Sequence, residues 1–433
     1  YGLVGSEMCI RDRKTIGVLL AVLMTFSLLP TTAWAAVTGR CGKDATFSLD
    51  DNGTVTISGT GWINGDWDEY IDRQPDFKCA VVQDGVTALS FGSFGFCENL
   101  EEVILPDSIQ DIYDETFDGC AALKSVRMPN NPDLVMGSYV FRNCTNLTSI
   151  VIPSKYLNGH SFSGCSSLRD ITFSNNLQRI GYNSFWGCYS LEDLVIPDTV
   201  TLIGNSAFGY CTALSNLKLG SGLRSIGGGA FICCISLTNV TIPASVTSIG
   251  SGAFASCSSL QGIQVAAGNK NYTSVDGVLF TKNMDQLVCF PGGMGGDYVI
   301  PDGVAIIGEY VFGHNSGLTS VTIPASVTCV GDYAFTNCLN LKDVYYQGTA
   351  EEWNNLEIGG DGNEYLPLAT IHYGAGDLNG GGLDISDVAA LYDHLAGTSP
   401  LGDGALPFAD VNGDGAVDVY DLQYLYECVA RNR

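Results

Sequence analysis

Between residues 85 and 344 apolar side chains return at a fixed interval. The pattern Phe-x-x-Cys-x-x-Leu-x-x-Val-x-Ile places phenylalanine at Phe94, Phe117, Phe141, Phe162, Phe185, Phe208, Phe231, Phe254, Phe312 and Phe335. Most steps are 23 residues; the others are 24, 21 and 58. In the clearest copy Val240 and Ile242 alternate with Thr241, the signature of a short strand with one buried face. Pro243 ends it, because proline gives a ladder no donor. The stretch from Ser245 to Ile249 predicts a second extended piece, and Ala253-Phe254 predicts a short helical or 3₁₀ turn. One such unit cannot bury its apolar face alone, so the rungs must stack into a continuous solenoid.

The flanks have other patterns. Phe47 and Leu49 alternate, Asp50-Asp51-Asn52-Gly53 signals a turn, and Val55 and Ile57 alternate again. This predicts a β-hairpin cap within a module over 37–84. Residues 266–300 break the period. From 374 to 433 the period becomes helical. Val388, Leu391 and Leu395 reappear as Leu422, Leu425 and Val429 at an offset of 34, which predicts two loop–helix units. At the other end, residues 14–36 read as a signal peptide: Lys14, an apolar run from Ile16 to Leu29, and the cleavage pattern Ala33-Trp34-Ala35. Residues 1–13 match no pattern and are set aside as a non-native leader.

Composition narrows the partners. Lys plus Arg is 20 and Asp plus Glu 46, so the 433-residue chain carries 20 − 46 = −26. Such a charge repels phosphate and argues against nucleic acid. No segment after the leader is apolar enough for membrane insertion. Nine cysteines share one repeat position: Cys97, Cys120, Cys144, Cys165, Cys188, Cys211, Cys234, Cys257 and Cys338, with Asn315 in the tenth place. Rungs about 5 Å apart would stack these thiols in a column. Each has two equivalent neighbours and their number is odd, so the expectation is buried, reduced thiols rather than cross-links. No histidine or CxxC pair accompanies them, which argues against a metal site. Cys41 and Cys79 flank the first module; pairing between them stays open.

Residues 410–421 form a different chemistry. Asp410, Asn412 and Asp414 offer side-chain oxygens at positions 1, 3 and 5 of a twelve-residue loop. Gly415 makes the turn, Ala416 offers its carbonyl, Asp418 acts through water and Asp421 closes the site. An all-oxygen cage suits a hard cation, Ca²⁺. A shortened copy holds Asp377, Asn379, Asp384 and Asp387 with one ligand position missing; whether it binds calcium stays open.

The strings at 242–260 and 323–341, of the form IPxSVTxIGxxAFxxCxxL, resemble BspA-like leucine-rich repeats over roughly 85–373, and the resemblance implies a hairpin insertion at 266–300 and a C-terminal closing segment at 345–373. The two loop–helix units resemble a type I dockerin, the calcium-dependent module that docks a secreted protein onto a cohesin. The resemblance implies a β-rich leucine-rich-repeat solenoid with an N-terminal β-hairpin cap, plus a small all-α calcium-binding dockerin domain. It assigns cohesin recognition to Ile385 and Ser386 in the first copy, and to Val419 and Tyr420 in the second.

No GxSxG, HExxH or P-loop occurs, and His160, His314, His372 and His394 are isolated. No stretch is left for a catalytic domain, so the chain reads as a non-enzyme. Outward strand positions, among them Glu101, Lys124, Arg169, Glu192 and Asn216, are small or charged and suit protein contact. A candidate ligand patch gathers Tyr182, Trp186, Tyr189 and Tyr210. The expected function is a secreted, scaffold-tethered adhesion protein whose repeats bind a protein or glycan and whose dockerin engages a cellulosome-like or cell-surface scaffold. The alternative is an accessory or enzymatic component of a polysaccharide-degrading complex.

Overall fold

The computed structural model describes residues 37–64, 77–374, 376–380, 383–402, 404–412 and 415–431. The leader and signal peptide expected at 1–36 and the side chain of Asp414 lie outside them.

The chain opens with three antiparallel strands, Val37–Arg40, Ala45–Leu49 and Thr54–Gly59. The turn between the last two is closed by the Asp50 carboxylate, which accepts from the amides of Asn52 (2.9 Å) and Thr54 (2.8 Å). Gly53 at φ 81° gives the turn its left-handed residue. Strand Thr54–Gly59 then pairs parallel with Cys79–Val82, Val55 facing Ala80. The hairpin therefore covers the first rung while supplying a template for the parallel ladder that follows.

About 13 turns of solenoid stack behind it. One side of the rungs is built of strands of three or four residues, lengthened to six at Leu318–Ile323. Ser149–Ile152 and Asn239–Ile242 alternate exposed and buried, as the period-two pattern requires. A second side carries two-residue strands such as Tyr156–Leu157, Arg179–Ile180 and Leu202–Ile203, in parallel register.

The third side turns at Ala253-Phe254 as expected, but among the described residues of the repeats it does so without the helical or 3₁₀ geometry expected there. Two residues per rung are left-handed, one two positions before the phenylalanine and one two after. Around Phe141 they are Tyr139 (φ 60°) and Asn143 (φ 61°); around Phe254, Gly252 (φ 62°) and Ser256 (φ 60°). A right-handed helix cannot contain them. Their arrangement turns alternate amides toward the next rung: Gly229, Phe231 and Cys233 donate to the carbonyls of Ser251, Ala253 and Ala255 at 3.0, 2.8 and 2.9 Å. All three sides are thus hydrogen-bonded from rung to rung, and no backbone group needs a helix to satisfy it.

The interior is a column of phenylalanines. Successive rings from Phe94 to Phe254 stack face to face with centroids 5.1–5.5 Å apart. The cysteine column runs beside it. Cys120 Sγ lies 3.0 Å from the Phe94 carbonyl, Cys165 3.0 Å from Phe141, and Cys257 3.2 Å from Phe231. From Cys120 onward each column thiol donates to the phenylalanine carbonyl of the preceding rung, which a small, apolar, weakly donating side chain can do inside a core. The cysteines among the described residues are free, Cys41 and Cys79 included.

At the insertion, Tyr272–Val275 and Val278–Thr281 form an antiparallel hairpin, and Gln286–Cys289 returns the chain to parallel pairing with Ile306–Ile307. Phe290 then occupies the phenylalanine column, 5.1 Å from Phe312. Asn315, in the cysteine slot, reaches the carbonyls of Met294 (2.8 Å) and Pro291 (3.4 Å) and accepts from the amides of Gly317 and Leu318, both 2.9 Å. A thiol could not hold four partners across that irregular loop.

The solenoid closes with Asp343–Tyr346 paired parallel to Thr370–Tyr373. Between them α1 (Ala350–Asn354) starts from a reciprocal capping box of Thr349 and Glu352. The last helices are α2 (Ile385–Leu395), the single-turn α3 (Leu406–Ala409) and α4 (Val419–Arg431). Leu391 and Leu425, equivalent at the offset of 34, are both fully buried between them.

Candidate functional site

The two C-terminal loops share one hydrogen-bond plan. In the first, Asp387 Oδ1 accepts from the amides of Leu378 (2.8 Å) and Asn379 (3.2 Å), and Oδ2 accepts from Asp384 (2.8 Å). In the second, Asp421 Oδ1 accepts from Asn412 (3.2 Å) and Oδ2 from Asp418 (2.8 Å). Asp384 and Asp418 each turn a carboxylate onto the amide two residues on, Ser386 and Tyr420, both at 2.7 Å. Asp377 receives the Gly380 amide at 2.8 Å and Asp410 the Gly415 amide at 2.9 Å. Asn379 Nδ2 binds Ser386 Oγ at 2.6 Å. Ala416 is exposed and Gly415 holds φ 87°.

Asp377, Asp387 and Asp421 are fully buried. Neither Asp387 nor Asp421 has a lysine, arginine or histidine ion partner among the described residues. Burial pushes the Asp387 carboxyl up, with the Asp377 charge adding to it. A buried carboxylate held only by amides is costly unless a cation joins it, and an all-oxygen donor set fits a hard cation. Among the described residues no three acidic, histidine or cysteine side chains converge on one point; the fit rests on the burial and on the oxygen chemistry of the donors.

Of the residues expected to recognise a partner, Ile385 and Val419 come together. They line one groove between α2 and α4 with Val388, Ala389, Tyr392, Leu422, Gln423 and Tyr426. Ser386 and Tyr420 are exposed beside it. Tyr392 and Tyr426, 61% and 57% exposed, escaped the sequence reading. Their signal was present, since they are the same position at the offset of 34.

The helical module also packs on the solenoid, which the sequence did not reveal. Tyr345, on the outer face of strand Asp343–Tyr346, stacks on His372 (4.3 Å) and meets Phe408 of α3 (5.1 Å). Thr322 Oγ1 donates to the Gly404 carbonyl at 3.0 Å, and the Tyr373 amide donates to Asp377 Oδ2 at 3.4 Å. The strand Leu318–Ile323 is accordingly covered at positions that other rungs expose.

The aromatic patch divides. The Trp186 ring leans on Tyr210 (4.6 Å, 51°) and sits over Gly209, where a Cβ would approach it to 2.5 Å. Tyr189 is half exposed on the same turn side, whereas Tyr182 lies over Gly159 and borders a hollow with Arg179. Asn216 is exposed, as expected of an outward position, and stands in register with Asp193, while Ser215 is the residue that follows Glu192 in its column.

A family model described as BspA type leucine rich repeat region matches six copies, over residues 73–192, 135–261, 179–285 and 295–355. A second, the dockerin type I domain, matches 375–427. No curated protein matches the chain. Among solved structures, a leucine-rich cell surface protein from Faecalibacterium prausnitzii is 22% identical, with 76% of this chain and 99% of that one covered and a TM-score of 0.41. A leucine-rich repeat protein from Bacteroides ovatus is 20% identical, with 77% and 78% covered and a TM-score of 0.44. The pneumococcal vaccine antigen PcpA is 18% identical, with 80% and 83% covered and a TM-score of 0.40. Both matched families are non-catalytic modules, and the chain belongs to the BspA type leucine-rich repeat family, with a type I dockerin domain at its C-terminal end.

Proposed function

We propose that this is a secreted, non-catalytic adhesion protein. The repeats recognise a protein or glycan, and the dockerin fastens them through calcium to a cohesin of a cellulosome-like or cell-surface scaffold. The observation that carries the reading is the twinning of Asp387 and Asp421. Each is buried, each gathers the amides of its own loop, and each opens a helix whose exposed apolar residues line a shared groove. Calcium, when bound, ties each loop to the helix behind it. Asp410, Asn412, Asp414, Asp418, Asp421 and the Ala416 carbonyl would hold one ion. Asp377, Asn379, Asp384 and Asp387 would hold the other, with one ligand fewer. Ile385, Val419, Tyr392 and Tyr426 would supply the apolar contact, with Ser386 and Tyr420 at its rim.

The experiment has two arms. Purified full-length protein is mixed with a panel of purified cohesins in calcium, and separately incubated with plant polysaccharides. Capture by a cohesin without release of reducing sugar supports the reading; sugar release in proportion to protein would favour the enzymatic alternative.

A further inference from the structure

The chain is acidic overall, but its centre is not. Residues 124–224 contain eight of the 20 lysines and arginines against five acids, a local balance of 8 − 5 = +3 in a chain of −26. Among the described residues the lysines and arginines that find a carboxylate are Lys124, Arg127 and Arg142. Lys155 and Arg179 find none. They lie in consecutive rungs on the side built from two-residue strands, where Tyr156 pairs in register with Arg179.

Each of these rungs couples one cation to one exposed tyrosine. Lys155 Nζ stands 5.3 Å from the centre of the Tyr156 ring, and Tyr156 is 50% exposed. Arg179 borders the same hollow as Tyr182, which is 48% exposed. Arg179 also borders the neighbouring hollow with Lys155 and Tyr156, so the two hollows join into one groove that crosses the rungs. Gly204 lies on its floor, where a Cβ would come within 2.6 Å of the Tyr182 amide. The carboxylate at its edge is Asp133, which leaves the Arg179 side as the seat for an anion.

We propose that this groove binds an acidic polysaccharide whose sugar units each carry a carboxylate. The proposal deepens the reading that the repeats bind a ligand, and rests on it. A guanidinium matches a carboxylate through two parallel hydrogen bonds. Tyrosine faces offer apolar area to the C–H face of a pyranose while keeping a hydroxyl for its edge. Rungs repeat at the 5.2 Å spacing of the stacked core rings, about the length of one sugar ring. Tyr156 stands in register with Arg179, so a polymer laid across these two rungs passes the Tyr156 face with Lys155 beside it, then the Arg179 guanidinium, and meets Tyr182 farther along the second rung. An acidic peptide would satisfy the cations but leave the rings unused.

The test is calorimetric titration of the full-length protein with oligogalacturonate, at one fixed calcium concentration. Controls are the same oligosaccharide after carboxyl reduction, and poly-glutamate of matched charge. The account expects saturable binding to the uronate and none to the reduced form. Arg179→Ala and Tyr156→Ala should each weaken it at least tenfold, Arg179→Lys less, and all should weaken with salt. Both side chains are solvent-exposed, so the variants should keep the parent melting temperature. Absence of uronate binding, binding by both variants as tight as the parent's, or equal competition by poly-glutamate would overturn the proposal. Cohesin capture measured on the same samples reports separately on the dockerin.

Discussion

The ring of Tyr345 in the last solenoid strands lies 5.1 Å from the ring of Phe408 in α3, joining two modules that the sequence presents as separate. Phe408 is 1% exposed and Tyr345 8%. Behind them Thr322 donates to the Gly404 carbonyl, a fully buried hydrogen bond across 82 residues of chain. The dockerin is therefore seated on the outer face of the final rungs, with its α2–α4 groove lined by residues that make no part of this seat.

Phe408→Ala should release that seat. Truncating a buried phenylalanine costs about 3–5 kcal/mol, here charged to the dockerin and its contact with the solenoid. Calorimetry should show the dockerin melting earlier while the solenoid transition stays in place. A single transition at the parent temperature would show that Phe408 does not hold the modules together.

The repeat was legible because its cause is local. Val240, Ile242, Phe231 and Cys234 each answer to one alternation or one column, and their spacing states it directly. The third side was misread as helical because the deciding feature is backbone sign. Tyr139, His160 and Tyr310 are left-handed at φ 60°, 58° and 60°, a conformation that large side chains seldom advertise. Phe290 is hidden in the sequence because it falls inside the stretch that breaks the period and has Gly293, not cysteine or asparagine, three residues on. The shared plan of the two C-terminal loops was legible as the spacing of their oxygen side chains. The Tyr345–Phe408 contact was not, since it joins residues far apart that carry no shared period.

The cysteine column should be chemically silent. Cys120, Cys144, Cys165, Cys188, Cys211 and Cys234 are all fully buried, and burial raises the Cys211 thiol to about 12 from the ordinary 9.0. Native protein should leave the column unlabelled by a thiol reagent, and denaturant should release it. Peptide mapping that finds the column joined in pairs would refute this.

The same burial sets an alkaline limit. A thiol whose folded value is raised contributes stability fully below its unfolded value, and loses it as pH climbs toward the folded one. For Cys211 the window is pH 9 to about 12, with a slope near 1.4 kcal/mol per pH unit for each such thiol. Melting temperature should be flat up to pH 9 and fall beyond it, and Cys211→Ala should make that fall shallower. An unchanged slope in the variant would contradict the assignment.

Asn315 should matter more than a cysteine at the same place. Its four hydrogen bonds fasten the irregular loop at Pro291 and Met294 to the resumed repeat. Asn315→Ala leaves buried carbonyls and amides unpaired, at about 1–3 kcal/mol. Chemical denaturation should register that loss, and Asn315→Cys should recover little of it.

The two loops should respond unequally to loss of their first aspartate. On the ligand sets proposed above, Asp410→Ala takes a side-chain oxygen from the loop with the fuller set, and should cost more calcium affinity than Asp377→Ala. Asp377 also receives the Tyr373 amide, so its loss should additionally loosen the dockerin from the solenoid. Equal calcium affinities in the two variants would contradict this order.

The central claim is that the dockerin attaches this repeat protein to a cohesin through calcium. Surface-plasmon titration of full-length protein over an immobilised cohesin, at free calcium stepped from millimolar to chelated, measures it most directly. The account predicts saturable binding in calcium, abolished by chelator, restored on calcium return and weakened at least tenfold by paired Ile385→Ala and Val419→Ala. Binding that persists in chelator, or that ignores the loss of both groove residues, would contradict it.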